Sequence, residues 1–116
     1  MKPEILKIII EKHQMLCALA YNSEGTILAE AGNLNDEKLG DLISALIGPY
    51  GDVKNTFASL EGQLLPRIWG QGDTYAYIHK PKDDLMVITF GSGKIDTKSN
   101  YRKSKEIDTD LIEAIK

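Results

Sequence analysis

The run Gly91-Ser92-Gly93-Lys94 is the segment that comes nearest to a phosphate-binding loop. In such a loop the backbone N–H groups of a glycine-rich turn cradle phosphates and a lysine reaches the terminal one. The full pattern also needs a glycine five positions before the Gly-Lys pair and Ser or Thr after the lysine. Ile88 and Ile95 stand there instead, so the segment reads as a turn between a strand and a loop. His13 and Cys17 are the one base-and-nucleophile combination close in sequence. Cys17 falls inside an apolar run, where a cysteine acts as a small hydrophobe. His79 precedes Lys80-Pro81 and is expected to be solvated. Two histidines and one cysteine at wide separation make no metal site of recognisable spacing. Asp83-Asp84 reads as a turn, and Asp36-Glu37 and Asp108/Asp110 read as helix starts, so none is assigned acid–base work. No catalytic residue, cofactor or metal is expected, and an enzyme is not the reading.

These residues must be placed by a chain of 116 residues, long enough for one domain spanning 1–116 with its own core. A formal net charge of -3 argues against a nucleic-acid partner. No apolar run has the length of a membrane span, and the N-terminus carries no signal-peptide pattern. With Cys17 as the single cysteine, no intrachain disulfide forms, and a cytoplasmic setting is the expectation.

Two apolar runs do not alternate: Met15 to Tyr21 and Leu85 to Phe90. A strand apolar on both sides is covered on both sides, so both belong in the middle of one sheet. Before the first run, residues 2–12 read as a helix with Pro3 in its first turn and Ile5, Ile8 and Ile9 as its stripe, widened by Leu6 and Ile10. Residues 22–25 turn the chain into a second strand over 26–31, whose mixed faces suit an edge. Asn35 is the expected N-cap of a second helix with Leu39, Leu42, Ile43, Leu46 and Ile47 on one stripe. Gly48-Pro49-Tyr50-Gly51 interrupts it, and Val53, Phe57 and Leu60 resume the spacing. A third strand over 64–69 contains Pro66, which points to an edge or bulge. Residues 70–73 turn into a fourth strand over 74–79 with Tyr75, Tyr77 and His79 on one face, and residues 80–84 turn into the fifth. Residues 92–106 read as a basic loop or weak helix ahead of a short terminal helix capped by Asp108. The order is α-β-β-α-β-β-β-α.

This order resembles the roadblock/dynein-light-chain family, a relative of profilin-like folds. Leu16 to Ala31 carries most of the likeness: an apolar strand, a polar turn closing on Gly25, and a strand ending in small residues. The helix from Asn35 and the three-strand meander from Leu64 to Phe90 match in order and length. The resemblance implies an α+β fold with one five-stranded antiparallel sheet ordered 2-1-5-4-3 and helices on both faces. It also implies a homodimer in which third strands pair and second helices pack. Family members regulate or scaffold small Ras-like GTPases or belong to motor and membrane-associated complexes. The chain departs from the pattern at His13-Gln14-Met15, where a small residue or glycine is usual, and at Pro49, which interrupts the second helix.

The expected function is therefore a non-enzymatic, homodimeric protein-binding module for a small GTPase or another cytoplasmic complex, with no nucleic acid and no membrane insertion. The expected self- or partner-binding surface combines Leu65, Arg67, Ile68 and Trp69 of the third strand with Ile43, Leu46, Ile47 and Tyr50 of the second helix. Trp69 is either a binding anchor on an exposed edge or a side chain tucked under that helix. Arg67 and Arg102, the two arginines, read as surface residues. The alternative is a small-ligand sensory module with a pocket between Tyr75, Tyr77 and the second helix.

Overall fold

A computed structural model describes residues 1–39, 41–47 and 52–115, with the Ile47 side chain outside the description. The elements are α1 (Pro3–His13), β1 (Cys17–Tyr21), β2 (Ile27–Gly32), a 3-10 turn (Glu37–Leu39), α2 (Leu42–Ile47), α3 (Val53–Ser59), β3 (Arg67–Gln71), β4 (Thr74–Lys82), β5 (Leu85–Ser92) and α4 (Thr97–Ile115). All strands form one antiparallel sheet in the order β2-β1-β5-β4-β3. The expected order and the central placing of β1 and β5 both hold.

Why β1 and β5 read as continuous apolar runs is plain in the packing. On one face Ala18 and Ala20 of β1, Ala29 of β2, Tyr75 and Tyr77 of β4 and Val87 of β5 meet Leu6, Ile9 and Ile10 of α1 and Ile107 and Leu111 of α4. On the other face Leu19 and Tyr21 of β1 and Met86, Ile88 and Phe90 of β5 meet Leu39, Leu42 and Leu46, with Phe57 and Leu60 around α3. Each large side chain so buried contributes about 1.5–3 kcal/mol of transfer free energy. The alanines mark the path of α1, which needs short side chains beneath it to approach β1 and β2. Its inward stripe is Leu6, Ile9 and Ile10; Ile8, expected inside, is 62 % exposed.

Several boundaries differ from expectation. Asn35 does not cap a helix; its N–H bonds the Asn33 carboxamide, and Asp36 opens the 3-10 turn by accepting from the Lys38 N–H. Polar side chains that bond nearby backbone favour such turns over a helix start. Asp52 caps α3 through the Asn55 N–H, while the expected interruption at 48–51 lies outside the described residues. Pro66 precedes β3 instead of lying inside it, so Gly70 and Gln71 belong to the strand and Gly72-Asp73 alone makes the turn. β4 likewise runs on through Pro81 and Lys82, past a register shift after His79, and Asp83-Asp84 makes the turn. The Asp84 carboxylate accepts from the Ser23 N–H at 3.0 Å and ties that turn to the β1–β2 turn.

The largest correction concerns the C-terminal segment. Residues 97–115 form one continuous helix, and its N-terminus is set by Asp96, whose carboxylate accepts from the Ser99 N–H and hydroxyl. Asp108 and Asp110 sit mid-helix and start nothing.

Two backbone positions with positive φ predict opposite stability effects. Gln14 closes α1 at φ 56°, ψ 44°, a left-handed conformation in which glycine is at ease and other residues are strained. Gln14→Gly should raise the free energy of unfolding by about 1 kcal/mol. Gly32 has φ 84°, and a Cβ there would stand 2.4 Å from the Leu16 carbonyl oxygen and 2.9 Å from Ile10 Cδ1. Gly32→Ala should cost more than about 2 kcal/mol. Urea denaturation of both variants checks the pair of signs.

Candidate partner surface

β3 is the one strand whose outer edge lies at the end of the β4 side of the sheet, and it pairs only with β4. Period-2 geometry divides its side chains between the two faces. Arg67 and Trp69 stand opposite Ile78 and Ala76, on the face that carries α2 and α3. Ile68 stands opposite Tyr77, on the α4 face. Trp69 is 39 % exposed, with the Arg67 guanidinium 5.6 Å from its ring centre, a cation–π arrangement that holds the indole beside the edge. The two readings of Trp69 therefore merge: one side of it closes a groove, and the other is open.

That groove, about 440 Å³, runs between β3 and the two helices and is lined by Ala45, Leu46, Asp52, Asn55, Thr56, Ser59, Arg67, Trp69 and Ile78. The structure brings Arg67 and Trp69 together with Leu46 of the expected set. Leu46 is itself buried against the sheet, and Ile43 and Leu65 are half-buried on the same core. Ile68 remains 39 % exposed on the opposite face. Tyr50 and the Ile47 side chain lie outside the described residues.

Contrary to expectation, no pocket among the described residues lies between Tyr75, Tyr77 and the second helix, because the tyrosines and α2 stand on opposite faces of the sheet. Both tyrosines face α4, where the Tyr77 hydroxyl bonds the Asn100 carboxamide and Lys103 Nζ donates to the Tyr75 hydroxyl at 3.0 Å. Of the cavities among the described residues, one of about 750 Å³ is a wide polar depression at the Gly72-Asp73 turn, lined by Lys38, Leu39, Asp41, Gln71, Asp73, Thr74, Ser92 and Gly93. Gly93 lies just past the end of β5, its N–H donating to the Asp73 carbonyl at 2.8 Å beyond the β4–β5 ladder.

His79 is fully buried, against the expectation that it is solvated. It shares its face with Tyr75 and Tyr77, and α4 covers all three. His79 Nδ1 lies 3.1 Å from Asp108 Oδ1 and Nε2 lies 3.3 Å from Thr89 Oγ1. A carboxylate only accepts, so Nδ1 carries the hydrogen and the Thr89 hydroxyl donates to Nε2. Carboxylate, imidazole and hydroxyl in this order match a nucleophilic triad in sequence of roles. His79 and Thr89 have no exposed surface, however, and none of the larger cavities among the described residues is lined by them. The trio is a buried clasp between sheet and helix. A second clasp is His13, whose Nε2 donates to Asp110 at 2.7 Å, with Lys12 on the same carboxylate. Sequence reasoning missed both; the signal was the alternation Tyr75-Tyr77-His79, which assigns His79 to a covered face. Cys17 is buried as expected, and burial, followed by the Asp36 charge, pushes its thiol up to about 12, so it stays protonated.

No family model matches the sequence, and no curated protein is similar to it in sequence. Solved structures do share its fold. MglB of Myxococcus xanthus superposes with a TM-score of 0.68 at 8 % identity over 97 % of this chain and 93 % of that one. The gliding protein MglB of Thermus thermophilus gives 0.60 at 15 % identity over 95 % and 84 %. A Roadblock/LC7 domain from Streptomyces avermitilis gives 0.58 at 10 % identity over 98 % and 97 %. The chain has the roadblock fold, as the order of its elements implied.

The buried histidine makes stability depend on pH. Burial lowers the His79 pKa below the ordinary 6.5 and His13 adds to that, outweighing the raising effect of the Asp108 bond and charge. The unfolded chain then binds this proton at a higher pH than the folded one. Stability is full above pH 6.5 and falls as pH drops below it toward the folded-state value, by at most about 1.4 kcal/mol per pH unit. Thermal melts between about pH 5 and 8 should show this slope, and His79→Gln should flatten it even if its melting point is lower throughout.

Proposed function

We propose that this roadblock-fold chain is a non-enzymatic, cytoplasmic module, one domain over 1–116, that pairs with a second copy of itself and binds a small Ras-like GTPase to regulate or scaffold it. The observation that carries the reading is the open β3 edge with Trp69 half-exposed beside the groove under α2 and α3. An uncovered edge presents unpaired backbone N–H and C=O groups, which invite a partner strand. Antiparallel pairing of β3 with its own copy satisfies these groups. It also brings Arg67, Trp69 and the flanking parts of α2 and α3 against their twins, with Ile68 and Leu65 beside the seam. Trp and Arg at the centre of such a seam are the residue types that anchor interfaces. A stable pair of this kind should bury about 800 Å² per partner.

Self-assembly has a parallel among proteins of this fold, since one MglB structure has a tetrameric arrangement. The GTPase follows from the family resemblance carried by Leu16 to Ala31. The chain itself offers no constellation, among the described residues, that suits a chemical step. The triad-like trio of His79, Asp108 and Thr89 serves α4 instead.

Light scattering should give twice the 12.9 kDa of one chain at micromolar concentration. Ile68→Glu places a charge beside the seam and should return the mass to one chain; the side chain is partly exposed, so the variant should still unfold in a single transition. A wild-type protein that scatters as one chain removes the self-association. For the partner, nucleotide hydrolysis and exchange by a small GTPase from the same cell, measured with and without the protein, should change; unchanged rates and no co-elution remove the GTPase.

A further inference from the structure

α4 carries its charges against its own dipole. Backbone dipoles make a helix N-terminus partly positive, so acids are favoured in the first turns and cations in the last. Residues 94–105 hold Lys94, Lys98, Arg102, Lys103 and Lys105, with Asp96 as the only acid, in a chain whose net charge is -3. The acids of α4, Glu106, Asp108, Asp110 and Glu113, all come later. Asp96 is engaged by Ser99 at the cap. Lys103 is engaged by the Tyr75 hydroxyl, and Asp108 and Asp110 face inward to the two histidines. Lys94, Lys98 and Arg102 are exposed, and among the described residues none has a carboxylate within 4 Å. Lys98, in the first turn, opposes the helix dipole, and neither Lys94 nor Arg102 makes an ion pair among the described residues that would serve the fold.

Apolar groups stand among them. Tyr101 is 58 % exposed, with Lys105 Nζ 5.4 Å from its ring centre. The same Lys105 donates to the Leu65 carbonyl at 3.3 Å, which brings the loop before β3 alongside α4. Leu64 of that loop is 94 % exposed, the most exposed large hydrophobic residue described. This surface is the convex outside of a helix, and the grooves beside α4 are lined by Lys12, His13 and acids as well as by Arg102. A peptide needs a groove for its side chains; a flat anionic surface does not.

We propose that this face of α4, with Leu64, docks the protein on an anionic lipid surface. Lys94, Lys98, Arg102 and Lys105 would reach lipid phosphates and carboxylates, each strengthening attraction within a Debye length of the surface. Tyr101 would sit at headgroup level, as aromatic residues do at membrane boundaries, and Leu64 would enter the acyl boundary. Attachment is peripheral, for no helix among the described residues is long and apolar enough to span a bilayer. The proposal does not depend on the self-association or the GTPase.

Sedimentation with vesicles tests it, using phosphatidylcholine alone and phosphatidylcholine with roughly 30 % phosphatidylserine. Binding should appear only with the anionic lipid and fall steeply as salt rises. Lys98→Glu/Arg102→Glu should weaken it by more than about 25-fold, five-fold for each cation lost. Lys98→Glu alone should melt no lower than the wild type, because position 98 lies in the first turn where the helix dipole favours an acid; a clear fall in its melting temperature would make Lys98 structural and overturn the argument. Leu64→Ser should weaken binding several-fold and leave its salt dependence intact. No binding to either vesicle, equal binding to both, or unchanged binding by the double variant overturns the proposal. Capture of the protein by an acidic protein or heparin with none by vesicles also overturns it, in favour of an acidic macromolecule.

Discussion

The pairing of β1 with β5 is the contact on which the rest of the molecule depends. Cys17 stands opposite Phe90 and Tyr21 opposite Met86, so the first strand after α1 is joined to the last strand before α4. Closing such a loop costs chain entropy before any contact repays it. What repays it here is that both strands are apolar on both sides. Every residue of β1 is buried, and so is β5 apart from Ser92, so each strand pair adds to two cores at once. Helices must then cover both faces. α1 and α4 flank the chain and take one; the segment between β2 and β3 takes the other.

The two helical layers are held differently. The 3-10 turn, α2 and α3 are held by leucines and Phe57. α4 has only Ser104, Ile107 and Leu111 fully buried along its length. It is fixed instead by directed polar bonds to Asn100, Lys103, Asp108 and Asp110. A buried hydrogen bond contributes modestly when made and costs much when broken. Such bonds therefore fix the register of α4 more than they add to its stability. That distribution explains how the outer face of the helix can carry unfavourably placed charge: the inward side sets its position.

Strand order and core were legible because they rest on burial. Leu85 to Phe90 and Met15 to Tyr21 announce their position by lacking alternation, and Leu39, Leu42 and Leu46 by helical spacing. What was not legible rests on competition between polar groups. Asn35 is a good cap in isolation, yet Asn33 and Asp36 took the local backbone N–H groups first. Asp108 likewise had the composition of a cap, but its carboxylate is bonded to a histidine twenty-nine positions away. His79 looked solvated because Pro81 follows it. The strand in fact continues through Pro81 after the register shift, and only the alternation with Tyr75 and Tyr77 gave the burial away. On the candidate surface, alternation divides Arg67 and Trp69 from Ile68 wherever the strand begins, and Pro66 shifted only the strand's limits.

The sheet's two edges are unequal, and that inequality orders the surfaces. The β2 edge is flanked by α1 and bends at a register shift after Ala20, a feature that discourages pairing. The β3 edge has neither. Two copies joined antiparallel at β3 in one continuous sheet must be related by an axis perpendicular to that sheet, because only such a rotation keeps the strands coplanar while reversing one of them. Both α4 helices then lie on one side of the joined sheet, and the α2 and α3 segments on the other. The basic face of α4 would be doubled on a single side, where two weak attachments to one surface act as a much stronger one. A partner seated against the parts of α2 and α3 away from the seam would approach from the opposite side, so it need not compete with attachment through α4.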